Sequence, residues 1–212
     1  MMVDGQIRIN GVTDLRLIAA FGTVERERFV TPQHQALAYL DLDVPVDSAG
    51  RQGRRLMKPM VLARLIQAAA LGEGDRVLDV GVATGYSSAI LASVGAPVIA
   101  LEEDAGLAKF AADALAAVGA PGAKVVSGPL AAGWPKEAPY DVILLDGAAE
   151  IVPRPLLDQL GEDGRLVAVV GHAPIGKGTV YRRSGTHVSA YVEFDAVAPP
   201  LPGFAKPPAF VF

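Results

Sequence analysis

The sequence predicts an α/β fold, a mostly parallel twisted sheet with helices on both faces and an antiparallel hairpin at its C-terminal edge. Three observations predict it. Apolar runs rich in Val, Ile and Leu recur at 76–80, 97–101, 124–127, 140–145 and 165–170. The segments between them carry apolar residues at helical spacing, and strands alternating with helices build a parallel sheet covered on both faces. After Gly171 the pattern turns to alternation, from Thr179 to Arg182 and from Val188 to Phe194 around Ser184-Gly185, which signals a hairpin.

Taken in order, residues 10–40 read as short helices forming an N-terminal layer. Pro59 suits the first turn of the next helix, where its missing N–H costs nothing, with Val61, Leu62, Leu65, Ile66 and Ala69 on the buried side. A further helix starts at Asp104, a side chain able to cap it. It carries Leu107, Phe110, Ala111, Ala114, Leu115 and Val118 on one stripe until Gly119 and Pro121 stop it. That stripe is core. The Pro-rich tail from Ala198 reads as irregular chain draped over the sheet, and its end, Phe210-Val-Phe212, is either a contact surface or folded back on the core.

With 212 residues, 51% hydrophobic and 20% charged, the chain can bury one sizeable core. A net charge of −4 argues against affinity drawn from a nucleic acid backbone, which needs clustered Lys and Arg. The absence of cysteine leaves no disulfide or thiolate chemistry and suits a cytoplasmic location. The start lacks the apolar core of a signal peptide, and the longest apolar stretch, 90–101, is broken by Gly95 and Pro97 and too short to span a bilayer, so no membrane partner is expected. His34, His172 and His187 have no mutual spacing that suits a metal, and none is expected.

The chemistry concentrates in residues 76–86, Arg-Val-Leu-Asp-Val-Gly-Val-Ala-Thr-Gly-Tyr, a strand running through a glycine turn into a helix. Gly81 and Gly85 let backbone N–H groups approach a ligand at the positive end of that helix. A dinucleotide fingerprint wants G-x-G-x-x-G, but Ala83 and Tyr86 stand in its second and third places, so a pyrophosphate has a poor cradle. The turn suits a nucleoside without phosphates whose amino acid end lies at the loop, and S-adenosylmethionine is such a ligand. The alternative is a tight turn that holds nothing. Glu102 ends the next apolar run, where an acid can accept two hydrogen bonds from ribose hydroxyls. Glu103 beside it points to the opposite face of a strand, and both could instead be solvated acids before a helix. Asp146 closes the run 140–145, at the carboxyl end of a central strand where ligands bind; Asp146-Gly147 could also be a plain turn.

These residues carry a family likeness. Arg28-Phe-Val-Thr-Pro32, Met60-Val-Leu-Ala-Arg-Leu-Ile, Gly74-Asp-Arg-Val-Leu-Asp-Val-Gly, Gly133-Trp-Pro-Lys-Glu-Ala-Pro-Tyr-Asp141, Leu156-Leu-Asp-Gln-Leu and Gly164-Arg-Leu-Val resemble the protein-L-isoaspartate (D-aspartate) O-methyltransferase family. The Gly-Trp-Pro run is specific to it; the glycine turn belongs to S-adenosylmethionine methyltransferases in general. The resemblance implies a Rossmann-like methyltransferase fold and methyl transfer to the α-carboxylate of isoaspartyl residues in damaged protein or peptide. Length and composition read as one domain over 1–212, with an N-terminal helical layer and substrate-side loop over 1–70, a cofactor-binding core over 71–171 and the hairpin and tail over 172–212. The resemblance places Asp79, Gly81, Ala83 and Gly85 at the methionine end and Glu102 at the ribose; Val82, Glu103, Leu130 and Asp146 are expected beside them about the cofactor, and Arg54, Arg55, Met57, Lys58 and Met60 on the substrate side.

Four departures fall in that pocket. Arg54-Arg-Leu-Met57 replaces the family's Gln-Thr-Ile-Ser, Pro129 stands where an acid meets the adenine, Asp146-Gly-Ala-Ala149 replaces Thr-Ala-Ala, and Ala83 replaces the middle glycine. Together they imply a changed substrate or a lost activity. An ionised carboxylate needs no strong base to accept a methyl group, so the missing Ser need not abolish transfer. Asp146 could repel an anionic substrate, or act as the base orienting a hydroxyl or amine acceptor. Arg54, Arg55 or Lys58 could grip a substrate carboxylate, or be solvated loop charges. A methyltransferase for an unidentified small acceptor and an inactive relative serving as an interaction protein both stay open.

Overall fold

The computed structural model describes residues 2–46 and 53–207. Helical turns Val3–Ile7 and Arg8–Asn10 precede α1 (Leu15–Thr23), which is capped by the Asp14 carboxylate accepting from Arg16 N and Leu17 N. It buries Leu17, Ile18, Ala20 and Phe21, and the turns Arg26–Phe29 and Pro32–Leu37 complete the layer. A two-stranded ribbon of β1 (Val44–Pro45) and β2 (Arg55–Leu56) leads into α2 (Pro59–Ala68), whose buried side is the expected one. The Phe210-Val-Phe212 end lies outside the described residues.

The main sheet and its helices follow as β3 (Val77–Val80), α3 (Tyr86–Ser93), β4 (Val98–Glu102), α4 (Ala105–Ala117), β5 (Ala123–Ser127), β6 (Tyr140–Ala149), α5 (Arg154–Asp158), β7 (Leu160–His172), β8 (Ile175–Ser184) and β9 (His187–Asp195). Their spatial order is β5-β4-β3-β6-β7-β8-β9. The first five pair in parallel, while β8 and β9 run antiparallel as the hairpin. All five apolar runs are strands, and Asp104 caps α4 by accepting from Leu107 N at 2.9 Å. Apolar side chains cover both faces of the sheet, those of the N-terminal layer, α2, α3 and α4 on one and those of α5, Trp134, Leu201 and Phe204 on the other. Among the described residues no helix is long and apolar enough to cross a membrane.

Two elements depart from expectation. β6 continues past Leu145 because a bulge between Leu144 and Ala148 breaks its alternation while the strand goes on pairing with β7. The tail is not merely draped. Ala148 N donates to Pro199 O at 2.7 Å, Leu201 N to Ala148 O at 2.9 Å and Glu150 N to Phe204 O at 3.0 Å. These bonds fix the strip 199–204 across the carboxyl end of β6, with Leu201 and Phe204 buried.

The chain order reverses between β3, whose sequence continues to one side through β4 and β5, and β6 on its other side. Such a reversal opens a crevice at the carboxyl ends of the strands, where ligands bind in open α/β sheets. The glycine turn, Glu102 and Asp146 all stand at those ends.

Candidate cofactor site at the carboxyl ends of β3, β4 and β6

Asp79, fully buried in β3, accepts from the hydroxyls of Ser87 and Ser88 at 2.7 Å each, so its Oδ2 ties the strand to the first turn of α3. Its Oδ1 is buried without a partner among the described residues. Burial pushes the Asp79 carboxyl up, the charge of Asp146 adds to that, and the two hydroxyls pull it down. The turn that follows has Gly81 at φ +79°, Ala83 at +51° and Gly85 at +93°. Ala83 therefore holds a left-handed conformation that costs a residue with a Cβ roughly 1–2 kcal/mol. A Cβ on Gly85 would lie 3.2 Å from Ala111 and 3.3 Å from Leu115, so the space it spares faces α4 and serves helix packing rather than the expected ligand contact.

Glu102 ends β4 with no exposure, and its acceptors are full. Oε1 accepts from Arg54 Nη1 at 2.8 Å, Glu103 N at 3.0 Å and Asp104 N at 3.1 Å; Oε2 accepts from Ala83 N at 2.8 Å and Arg54 Nη2 at 2.9 Å. Arg54 Nη2 also donates to Gly81 O at 2.8 Å. Arg54, expected on the substrate side, thus spends its donors on Glu102 and Gly81. A carboxylate buried this deeply requires a counter-charge, and the guanidinium fork supplies it in two-pronged geometry. Glu103, expected near the cofactor, is an exposed residue just past the end of β4.

Leu201 of the tail closes the same place. A Cβ built on Gly81 would lie 2.6 Å from Leu201 Cδ2 and 3.5 Å from Leu130 Cδ1, and one on Gly147 would lie 2.7 Å from Leu201 Cγ. Leu130 and Val82 are buried beside the turn. Asp146, in the β6 bulge, is 6% exposed, and its Oδ1 has no partner among the described residues. Burial raises its pKa against the pull of Ser87, Arg54 and Arg26.

The remaining substrate-side residues scatter. Met57 is core, not cleft wall, and its carbonyl accepts from Arg26 Nη2 at 2.7 Å. Arg55 is exposed and donates to Asp43 O at 3.1 Å. Lys58 and Met60 line a separate cleft of about 270 Å3 with Pro174, Ile175, Lys177 and Asp195. His34 pairs with Thr31, His172 and His187 are exposed, and among the described residues no cluster suits a metal.

Sequence reasoning missed three residues that shape the site. Arg26 is fully buried against the Tyr86 ring at 4.5 Å and donates to Ala38 O, fastening the N-terminal layer over α3. Thr84 donates to Phe29 O at 2.6 Å and fastens the turn to that layer. The Gly-Trp-Pro run owes its form to Gln159, which donates to Ala132 O and accepts from Trp134 N at 2.8 Å each, while a Cβ on Gly133 would meet Gln159 at 2.6 Å. The family-like stretch Leu156-Leu-Asp-Gln-Leu held Gln159 without showing its partners.

A parallel sheet with this strand order, a glycine turn after its first central strand and an acid closing the next one defines a nucleoside-binding α/β protein of the methyltransferase class. The chain belongs to the Protein-L-isoaspartate(D-aspartate) O-methyltransferase (PCMT) family, whose match spans residues 2–193. It is 40% identical to a protein-L-isoaspartate O-methyltransferase of Methylorubrum populi over 85% of this chain and 82% of that one. In fold it resembles a solved protein-L-isoaspartate O-methyltransferase, with a TM-score of 0.83 and 23% identity over 95% of this chain and 66% of that longer one. It also resembles a putative protein-L-isoaspartate O-methyltransferase of Plasmodium falciparum solved in complex with S-adenosyl-L-homocysteine, with a TM-score of 0.76 and 19% identity over 93% of this chain and 95% of that one.

S-adenosyl-L-methionine is the family's cofactor. The polar set here fits it in kind: Glu102 for ribose hydroxyls, the Gly81 carbonyl for an ammonium, and two buried carboxyl oxygens, on Asp79 and Asp146, that lack partners among the described residues, the Asp146 oxygen suiting a cation. The volume beside Gly81 and Glu102 is taken by Arg54 and Leu201 of the chain itself.

Proposed function

We propose that the chain is an S-adenosylmethionine-dependent O-methyltransferase acting on the α-carboxylate of isoaspartyl residues in damaged protein or peptide, in the cytoplasm. The observation that carries the reading is the family match over residues 2–193 joined to an intact strand, glycine turn and buried Glu102 at the strand-order reversal. When bound, S-adenosylmethionine supplies an electrophilic methyl group. Glu102 and the Gly81 carbonyl hold polar groups of the nucleoside and amino acid ends, while Leu130 and Val82 provide apolar walls. The buried Asp146 carboxylate favours a cationic ligand over a neutral one. The acceptor carboxylate is ionised at neutral pH, so the protein's contribution is in-line positioning and exclusion of water rather than proton removal.

The test is transfer of labelled methyl to an isoaspartyl peptide beside its normal aspartyl twin. Labelling of the isoaspartyl peptide alone supports the reading, and labelling of both or neither counts against it. The buried Asp146 favours a second reading, in which it is the base that orients a hydroxyl or amine acceptor. That reading is lost if Asp146→Asn leaves the rate unchanged.

A further inference from the structure

We infer that Arg54 and Leu201 form a built-in plug of the cofactor pocket, and that a nucleoside cofactor binds only to the state in which both have withdrawn. The inference rests on the cofactor reading above and adds a competitor to it. Three observations carry it. The Arg54 guanidinium occupies both oxygens of Glu102, at 2.8 and 2.9 Å, which are the acceptors a ribose diol needs. The same group donates to the Gly81 carbonyl at 2.8 Å, so one side chain spans the positions expected for both ends of the ligand. Leu201 presses so closely on Gly81 that even a single added carbon there would sit 2.6 Å from it. Ligand atoms and Leu201 cannot share that face.

Charge makes the exclusion two-sided. With Arg54 in place the Glu102 carboxylate is compensated. With Arg54 withdrawn, the buried Glu102 carboxylate would lose its counter-charge and two of its five donors, an arrangement favourable only when a ligand's own donors replace them. The strip that bears Leu201 is itself hydrogen-bonded to Ala148 in both directions, so withdrawal breaks Ala148 N to Pro199 O and Leu201 N to Ala148 O together. Closed and open are therefore two packed alternatives. Apparent affinity falls in proportion to the open fraction, so an open state populated one time in ten weakens every ligand of the pocket by about tenfold.

The experiment is calorimetric titration of S-adenosylmethionine and S-adenosylhomocysteine into the full chain, Arg54→Gln and Leu201→Ala, with hydrogen exchange on the unaltered protein. Both variants should bind both ligands roughly tenfold or more tightly, since each removes part of a state that excludes both. In the unaltered protein, saturating S-adenosylhomocysteine should speed exchange at the amides of Leu201 and Ala148. Equal affinities for all three proteins, with those amides still protected, would overturn the plug while leaving the cofactor reading standing. A gain confined to S-adenosylmethionine would also overturn it, because Arg54 would then merely repel the sulfonium charge from beside the ligand. No binding by any of the three at millimolar ligand would remove the cofactor reading and the plug together. If Arg54→Gln fails to fold, the Leu201 variant and the exchange measurement decide.

Discussion

Arg54 and Glu102 meet as a buried ion pair, 2.8 Å from Nη1 to Oε1, with side chains 3% and 0% exposed and 48 residues apart in the chain. Removing one partner from such a pair leaves an uncompensated charge and costs about 3–5 kcal/mol. Three backbone N–H groups also donate to Glu102, which places Arg54→Ala toward the lower end of that range. Urea unfolding without ligand should show that loss, and Arg54→Met combined with Glu102→Gln should restore most of it. A double variant as unstable as the single one would show that the pair's charges are not what the pocket depends on.

The raised Asp79 carboxyl gives the fold a pH dependence of definite sign. Because folding raises this acid above its ordinary 3.8, the protonated form is favoured in the folded state. Its contribution to stability is complete below that ordinary value and is lost as pH rises through the folded one. The melting temperature should therefore fall between about pH 4 and about pH 8, and Asp79→Asn should flatten the slope. An unchanged slope in that variant would assign the dependence to other groups.

Ala83 offers a stabilising change. At φ +51° it bears the left-handed penalty, which Ala83→Gly would relieve, less the added freedom of the unfolded chain, for a net gain of about 0.5–1 kcal/mol. Its backbone N–H donates to the Glu102 carboxylate, a bond that does not use the methyl group and should persist. A lower melting temperature for the glycine variant would mean that the methyl group's packing outweighs the strain.

Gly133 offers the opposite. It sits at φ +65°, ψ −153°, and a Cβ there would lie 2.6 Å from the Gln159 amide and 2.8 Å from Leu156. Gly133→Ala should cost about 1–3 kcal/mol from backbone strain alone, and more once the Gln159 contacts to Ala132 and Trp134 are disturbed. Denaturant titration checks this, and an unaltered midpoint would show that Gln159 can swing aside freely.

What periodicity encodes was legible. Five Val- and Ile-rich runs became the strands, and Asp104 and Pro59 marked helix starts. What depends on partners far along the chain was not. Arg54 lies in a charged loop where its spacing to Glu102 carries no signal, so a solvated or substrate-gripping role was equally compatible with the sequence. Arg26 reads as one cation among several in a short helical turn, and only the packing of Tyr86 and Met57 around it makes it an interior residue. The continuation of β6 was hidden because a bulge breaks the two-residue period at the place where Asp146 and Gly147 must clear the tail.

The strip that carries Leu201 across β6 has Pro at 199, 200 and 202. Proline has no N–H to offer, so this strip can lean on Ala148 through one donor, Leu201 N, and one carbonyl, Pro199 O, yet presents almost no ladder on its outer side. A segment built to detach and reattach at a sheet is an invitation to foreign strands whenever it is loose. Here the prolines withdraw that invitation, allowing a removable edge that neither recruits a neighbouring chain nor extends the sheet.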